Sequence, residues 1–154
     1  MTTLAEIKTR QTELATMIAA LEAKAPRTLH FPENSLQLAE GEHYAGIIIG
    51  KDGEASHHLI LLPGEAENIP FADADTWATL QGGALPTRRE QALLYANLKE
   101  QFAQAWYWSG ERHASGSDYA WDQSFNDGHQ NSSPPATSSV PAPSADQPFN
   151  PLTL

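Results

Sequence analysis

Trp77-Ala78-Thr79-Leu80-Gln81-Gly82-Gly83-Ala84-Leu85-Pro86-Thr87-Arg88-Arg89-Glu90 is the stretch on which the fold turns. Pro86 holds the chain before it extended, Thr87 is placed to cap a helix, and Glu90 completes a capping box three residues later. The helix that opens there puts Leu94, Leu98 and Phe102 on one face, with Leu93 widening it and Gln91 and Ala105 at its flanks. That pattern suits a helix laid on a sheet. Upstream, Phe71 to Leu80 reads as a short helix with Asp73 as its cap, ended by Gly82-Gly83. Downstream, Trp106-Tyr107-Trp108-Ser109 and Tyr119 to Phe125 read as aromatic strands on either side of a small polar loop, Gly110 to Asp118. Asn126-Asp127-Gly128 makes a turn, and His129 to Ser132 begins a return strand cut short by Pro134-Pro135.

Toward the N-terminus, Tyr44 to Gly50 is a β-branched, nearly unbroken apolar run, expected to be a strand buried on both faces. Lys51-Asp52-Gly53-Glu54 supplies a turn, His57 to Leu62 returns as the second strand of a hairpin, and Pro63-Gly64 closes it. Thr28 to Phe31 and Ser35 to Leu38 are further short strand candidates, with a turn at Gly41-Glu42. His57 and His58, with His43 nearby, raise the question of a metal. Adjacent strand residues point to opposite faces, and no carboxylate stands at a spacing that completes a tetrahedral set, so no metal site is expected.

Residues 3 to 24 read as a helix with a narrow heptad seam: Leu4, Gln11 and Ile18 at one seam position, Ile7, Leu14 and Leu21 at the other. Two readings stand: an oligomerisation helix, in which polar Gln11 fixes the register, or an amphipathic helix packed on its own domain. Ala25-Pro26-Arg27 ends it. From Ser133 onward the chain holds six prolines and a single charge, Asp146. Too little apolar surface is available there to offset the entropy of ordering, which predicts an extended or disordered tail. Phe149, Pro151, Leu152 and Leu154 would form a terminal peptide able to dock on a neighbour. The expected organisation is therefore an oligomerisation helix over 1–25, an α+β domain over 26–133 and a Pro/Ser-rich tail over 134–154.

A chain of 154 residues, 40% hydrophobic, suffices for one core with attached segments. With 19 acidic against 9 basic residues and a net charge of −10, it is a poor partner for a phosphate backbone, and no nucleic acid is expected. The absence of cysteine removes disulfides, thiolate metal sites and cysteine nucleophiles, and leaves the compartment open. No run approaches the roughly 18 apolar residues of a membrane span, and the N-terminus has no basic region leading into an unbroken apolar stretch. Neither membrane insertion nor a secretory signal is expected.

The set Trp77-Ala78, Gly82-Gly83, Leu85-Pro86-Thr87, Glu90, Leu93-Leu94, Tyr107-Trp108-Ser109, Ala120-Trp121, Phe125 and Gly128 resembles a family of bacterial and phage domains of unknown function. That family is related to the C-terminal domain of the collagen-like adhesin Lcl and, more distantly, to the formylglycine-generating-enzyme and C-type-lectin-like folds. The resemblance spans about residues 70 to 131. It implies an α+β, C-type-lectin-like fold: a twisted antiparallel sheet with two flanking helices, in which Trp77, Trp108 and Trp121 are scaffold and the loops form the recognition surface. Family members close with a strand carrying an Arg-Ala-Val-Arg-like run. Here no Lys or Arg follows Arg112, so residues 35–38 or a neighbouring chain would have to supply that pairing.

The function expected on these grounds is a non-enzymatic recognition module of phage or prophage origin, a lectin-like domain carried on an oligomerising helix that provides multivalency. The alternative is a structural assembly protein of a phage tail or tail-like particle, whose helix and tail bind neighbouring subunits. Partners would be the chain itself through its N-terminal helix, and phage structural subunits or a host-surface protein or glycan. The location would be a virion or prophage-derived particle, or otherwise soluble. Ligand-binding candidates are Trp106, Arg112, His113, Asp118, Asp122 and Asp127. Asp118, Asp122 and Asp127 with His113 and His129 contain the elements of acid–base chemistry, and the three aspartates the elements of a calcium site. Polar residues are ordinary in an exposed Ser/Gly/Asp loop, however, no calcium loop is defined, and the cysteines of the formylglycine-generating enzymes are missing. No catalysis and no cofactor are expected.

Overall fold

A computed structural model describes residues 1–25, 35–64, 66–137 and 139–148, with Ser117 and residues 146–148 described by backbone alone. The strand candidate at 28–31 and the terminal peptide at 149–154 lie outside the described residues. The chain divides into two units, Met1–Glu33 and Asn34–Leu154.

The first unit holds α1 (Leu4–Lys24), opened by a capping box in which the Thr3 hydroxyl accepts from the Glu6 amide and the Glu6 carboxylate accepts from the Thr3 amide. No residue of α1 is buried: Leu4, Ile7, Leu14, Met17, Ile18 and Leu21 are all exposed.

The second unit is α+β. A hairpin of β1 (His43–Ile48) and β2 (His57–Leu61) is followed by helices α2 (Phe71–Leu80) and α3 (Arg88–Leu98), a 3-10 turn over Lys99–Gln101, and strands β3 (Trp106–His113), β4 (Gly116–Ser124), β5 (Gln130–Ser133) and β6 (Ser144–Pro148). Two antiparallel three-stranded sheets result, ordered β1-β2-β6 and β3-β4-β5. One cluster packs Leu94 and Leu98 of α3 with Leu59, Leu61, Tyr107 and Phe125; the other packs Phe71, Ala74 and Ala78 of α2 on Trp108 and Ala120. α3 starts where the sequence indicates, with the Thr87–Glu90 capping box formed. α2 also spans the expected residues, but Asp73 is not its cap. Pro70 occupies that position and makes no side-chain bond.

Three further expectations are corrected. First, β1 is an edge strand with only Ala45 and Ile48 buried, whereas β2, central between β1 and β6, is buried from His58 to Leu61. A β-bulge at Gly46, at a φ of 139°, interrupts the alternation, and the Asn97 side chain donates to the Ala45 carbonyl at 2.7 Å, so that α3 covers this edge. Second, residues 35–38 form no strand.

Third, part of the stretch expected to be an extended or disordered tail is paired and buried. Residues 139–148 are extended but belong to the folded unit. Ser139 bridges Ile69, Val140 bridges Tyr107 on the edge of β3, Ser144 bridges Ala84, and β6 pairs along the whole of β2. The amides of Ser139, Val140 and Ser144 donate to Ile69, Trp106 and Ala84. Pro141 and Pro143, which have no amide hydrogen, lie between the donating positions Val140 and Ser144; both are fully buried, and the Pro143 carbonyl accepts from Leu62. The segment thus runs as a seam between the edges of the two sheets. A proline-rich composition did not preclude this, because sheet edges offer backbone partners whatever the side chains. Gly83 lies where the seam passes closest: a Cβ there would collide with the Ser144 carbonyl.

Candidate functional site

The first residues of α3 lie against the outer part of the β3-β4-β5 sheet. Glu90 is buried, its Oε2 accepting from the Thr87 amide at 2.7 Å and its Oε1 bonded to His57 Nε2 at 2.9 Å. That pair ties β2 to the start of α3. It also separates the two adjacent histidines as strand geometry requires, since His58 Nδ1 bonds the Tyr44 hydroxyl at 3.0 Å instead. Among the described residues no group of three or more metal-ligating side chains gathers.

With Glu90 drawn inward, Arg88 and Arg89 face outward. The Arg88 guanidinium carbon lies 3.6 Å from the centroid of the Trp121 ring, and Arg88 Nε donates to Gln130 Oε1 at 3.2 Å. Gln130 in turn donates to the Arg88 carbonyl and to Gln123 Oε1. The Arg88 amide donates to Glu111 Oε2 at 2.6 Å, and Arg89 Nη2 donates to the Ile49 carbonyl at 2.7 Å. Arg88, Arg89, Ala92, Tyr95, Glu111, Gln123, Gly128 and Gln130 line an open groove of about 570 Å³.

The sequence-derived candidates are placed as follows. Trp106 is exposed at the start of β3, and Trp108 is fully buried with its indole Nε1 donating to the Ile69 carbonyl. Trp77 and Trp121 are half-buried. His113 stacks on Trp121 with ring centroids 5.2 Å apart, so the π surface of Trp121 is occupied by Arg88 and His113 of the same chain. Arg112 lies over the Phe71 ring at 4.8 Å. Asp118 is exposed on β4, and Asp127 accepts from the His129 amide within its own turn. Hydrogen bonding from Ser124 and from the His129 backbone holds the Asp127 carboxyl below its ordinary range.

Asp122 is buried. Its Oδ2 accepts from Ser133 Oγ at 2.9 Å and Ser139 Oγ at 3.3 Å, while its Oδ1 has no partner among the described residues. Burial raises its pKa, opposed by the two serine hydroxyls. The carboxylate thereby links β4, β5 and the seam.

None of the six candidates lines the Arg88 groove, though His113 reaches it indirectly through Trp121. The groove residues were visible in the sequence only as a helix start; the one signal was an adjacent Arg88-Arg89 pair in a chain short of basic residues.

No protein-family model matches the chain, and no curated protein sequence matches it significantly. No helix among the described residues is long and apolar enough to cross a membrane.

Proposed function

We propose that this chain is a non-enzymatic recognition module of a phage or prophage-derived particle, in which α1 self-associates and the second unit supplies the recognition surface. The observation that carries this reading is α1 itself. Its unit contains no other element among the described residues, so Leu4, Ile7, Leu14, Ile18 and Leu21 have nothing to pack on within it. A helix of this length is marginal in water on its own, and a second copy offers a matching seam. A parallel, in-register pairing sets Gln11 against Gln11, where two amides can bond each other, whereas an antiparallel pairing sets it against leucine. Self-association multiplies weak recognition by the second unit into avidity.

The second unit we read as a divergent C-type-lectin-like domain akin to the Lcl C-terminal domain. The α+β composition and the two helices flanking antiparallel strands support this, with the seam taking the place of the closing strand.

Light scattering and sedimentation test the central claim. The intact chain is expected to be oligomeric at micromolar concentration, and Leu14→Asp with Ile18→Asp to make it monomeric while leaving the tryptophan fluorescence of the second unit unchanged. A chain that is monomeric at high concentration overturns it. That result would favour the alternative, a structural assembly protein in which α1 docks on a different subunit. In that reading α1 bears the burden, because residues 139–148 are engaged by the chain's own sheets.

A further inference from the structure

The groove beside α3 contains a cation held in place yet left without an anion. Arg88 is half-buried, fixed by its stack on Trp121 and by its Nε bond to Gln130, so its side chain has little freedom left to lose on binding. Its terminal nitrogens make no hydrogen bond or ion pair among the described residues. This stands out in a chain where 19 acidic side chains compete for 9 basic ones. Glu111, which lines the same groove, bonds the Arg88 backbone amide and not its guanidinium.

Arg89 stands at the adjacent position, and Lys99 is close by, its Nζ bonded to the Tyr95 hydroxyl at 3.2 Å. Tyr95 offers the groove an aromatic wall, backed by its edge-on contact with Phe125. A volume of about 570 Å³ falls within the usual range of small-molecule sites.

We infer that this groove binds a carboxylate-bearing sugar, its carboxylate held by the terminal nitrogens of Arg88 and its ring set against Tyr95. An immobilised guanidinium fork matches the two oxygens of a planar carboxylate, and the Tyr95 wall matches the apolar face of a sugar ring. Trp121 positions Arg88 and does not stack on the ligand. Glu111 opposes the bound charge and limits affinity, leaving weak single-site binding that avidity would amplify. The proposal deepens the recognition reading and rests on it for its biological sense, but the groove lies wholly within the second unit, so its test is independent of α1.

Calorimetric titration of the full chain with N-acetylneuraminic acid and with galacturonic acid is the test. Galactose, inorganic phosphate and a glutamate-containing tripeptide serve as controls. Saturable binding of at least one acidic sugar is expected, with none of galactose. Arg88→Lys, which loses the fork, should weaken binding about tenfold or more. Glu111→Gln, which removes the opposing charge and keeps an acceptor for the Arg88 amide, should strengthen it. Because Arg88→Lys also disturbs the Trp121 stack, Ala92→Trp provides a second variant: it fills the groove from an exposed helix position and should abolish binding at unchanged melting temperature. Absence of saturable binding by either acidic sugar overturns the inference, as does tighter binding of phosphate or the tripeptide, or binding unaffected by Ala92→Trp. A monomeric but sugar-binding chain would refute only the role of α1.

Discussion

α1 and the segment 139–148 invert what their compositions suggest. α1 is rich in leucine and isoleucine and buries none of them, while the C-terminal segment, built of serine, proline and alanine, is buried from Ser139 to Ser144. Burial follows from available partners rather than from apolarity. A helix satisfies its own backbone and can await a partner; an extended chain cannot, and is stable here because two sheet edges and the Ile69 and Ala84 backbones accept it. On the proposed reading the first region depends on another molecule, whereas the second rests on its own chain.

Truncation tests this most severely. Removing residues 139–154 takes away the outer strand of the β1-β2-β6 sheet and the seam along β3, and strips Val140 and Ala142 from the cluster they share with Leu59 and Tyr107. Loss of cooperative thermal unfolding is expected, measured by near-ultraviolet dichroism. Removing residues 1–25 should abolish oligomerisation and leave the melting temperature of the second unit unchanged. A shortened chain that still unfolds cooperatively would show the seam to be an accessory. A smaller probe of the same contact is Gly83→Ala, whose Cβ meets the Ser144 carbonyl and the Leu62 side chain; overpacking there should cost about 1–3 kcal/mol in urea denaturation.

How legible each part was follows from the same contrast. The β1–β2 hairpin, α2, the start of α3 and the aromatic parts of β3 and β4 could be read because local signals specify them: Asp52-Gly53 at positive φ in the hairpin turn, the Thr87–Glu90 box, and the aromatic runs from Trp106 and Tyr119. The expected loop from Gly110 to Asp118 is corrected: β3 continues to His113 and β4 begins at Gly116, so only Ala114-Ser115 turns, and the polar side chains hid strand whose backbone pairs all the same. The seam could not, since Val140-Pro141-Ala142-Pro143 carries no periodicity and its stability comes from pairing with residues up to about ninety positions away. The Arg88 groove was hidden for a similar reason. Gln123 and Gln130 reveal nothing until β4 and β5 set them side by side in register, and Arg88 is adjacent to Trp121 only once the helix has docked. The second capping box, Thr3 to Glu6, carries the same Thr-x-x-Glu pattern in the sequence as Thr87 to Glu90.

Asp122 offers a gentler probe of the seam, because it joins Ser139 to β4 and β5. With its pKa raised in the fold, it favours the folded state when protonated. That stabilisation is complete below its ordinary value of 3.8 and is lost as pH climbs from there through the folded value. Asp122→Asn keeps an acceptor for both serines and removes the titration. The variant should lack the decline in stability that the parent chain shows above that pH, so that the difference between the two chains moves in the variant's favour from acid to neutral pH. Guanidinium titrations of both chains at several pH values measure this difference, and parallel curves would mean that Asp122 is solvated in practice.

The smallest effects make the sharpest comparison, because the two regions contain the same local device in nearly the same geometry. In both capping boxes the threonine hydroxyl accepts at 3.3 Å and the glutamate accepts from the threonine amide at 2.7 Å. What differs is the surroundings: Glu6 is exposed, while Glu90 is buried and bonded to His57. Thr87→Ala should cost about 1 kcal/mol in the unfolding of the second unit, followed by tryptophan fluorescence, since all four tryptophans lie there. Thr3→Ala should leave that transition untouched and appear only as reduced helicity or weaker oligomerisation, about 0.5–1 kcal/mol by far-ultraviolet dichroism against concentration. If Thr3→Ala shifted the tryptophan transition as well, the two units would unfold together, and the division between a partner-dependent helix and a self-sufficient unit would fail.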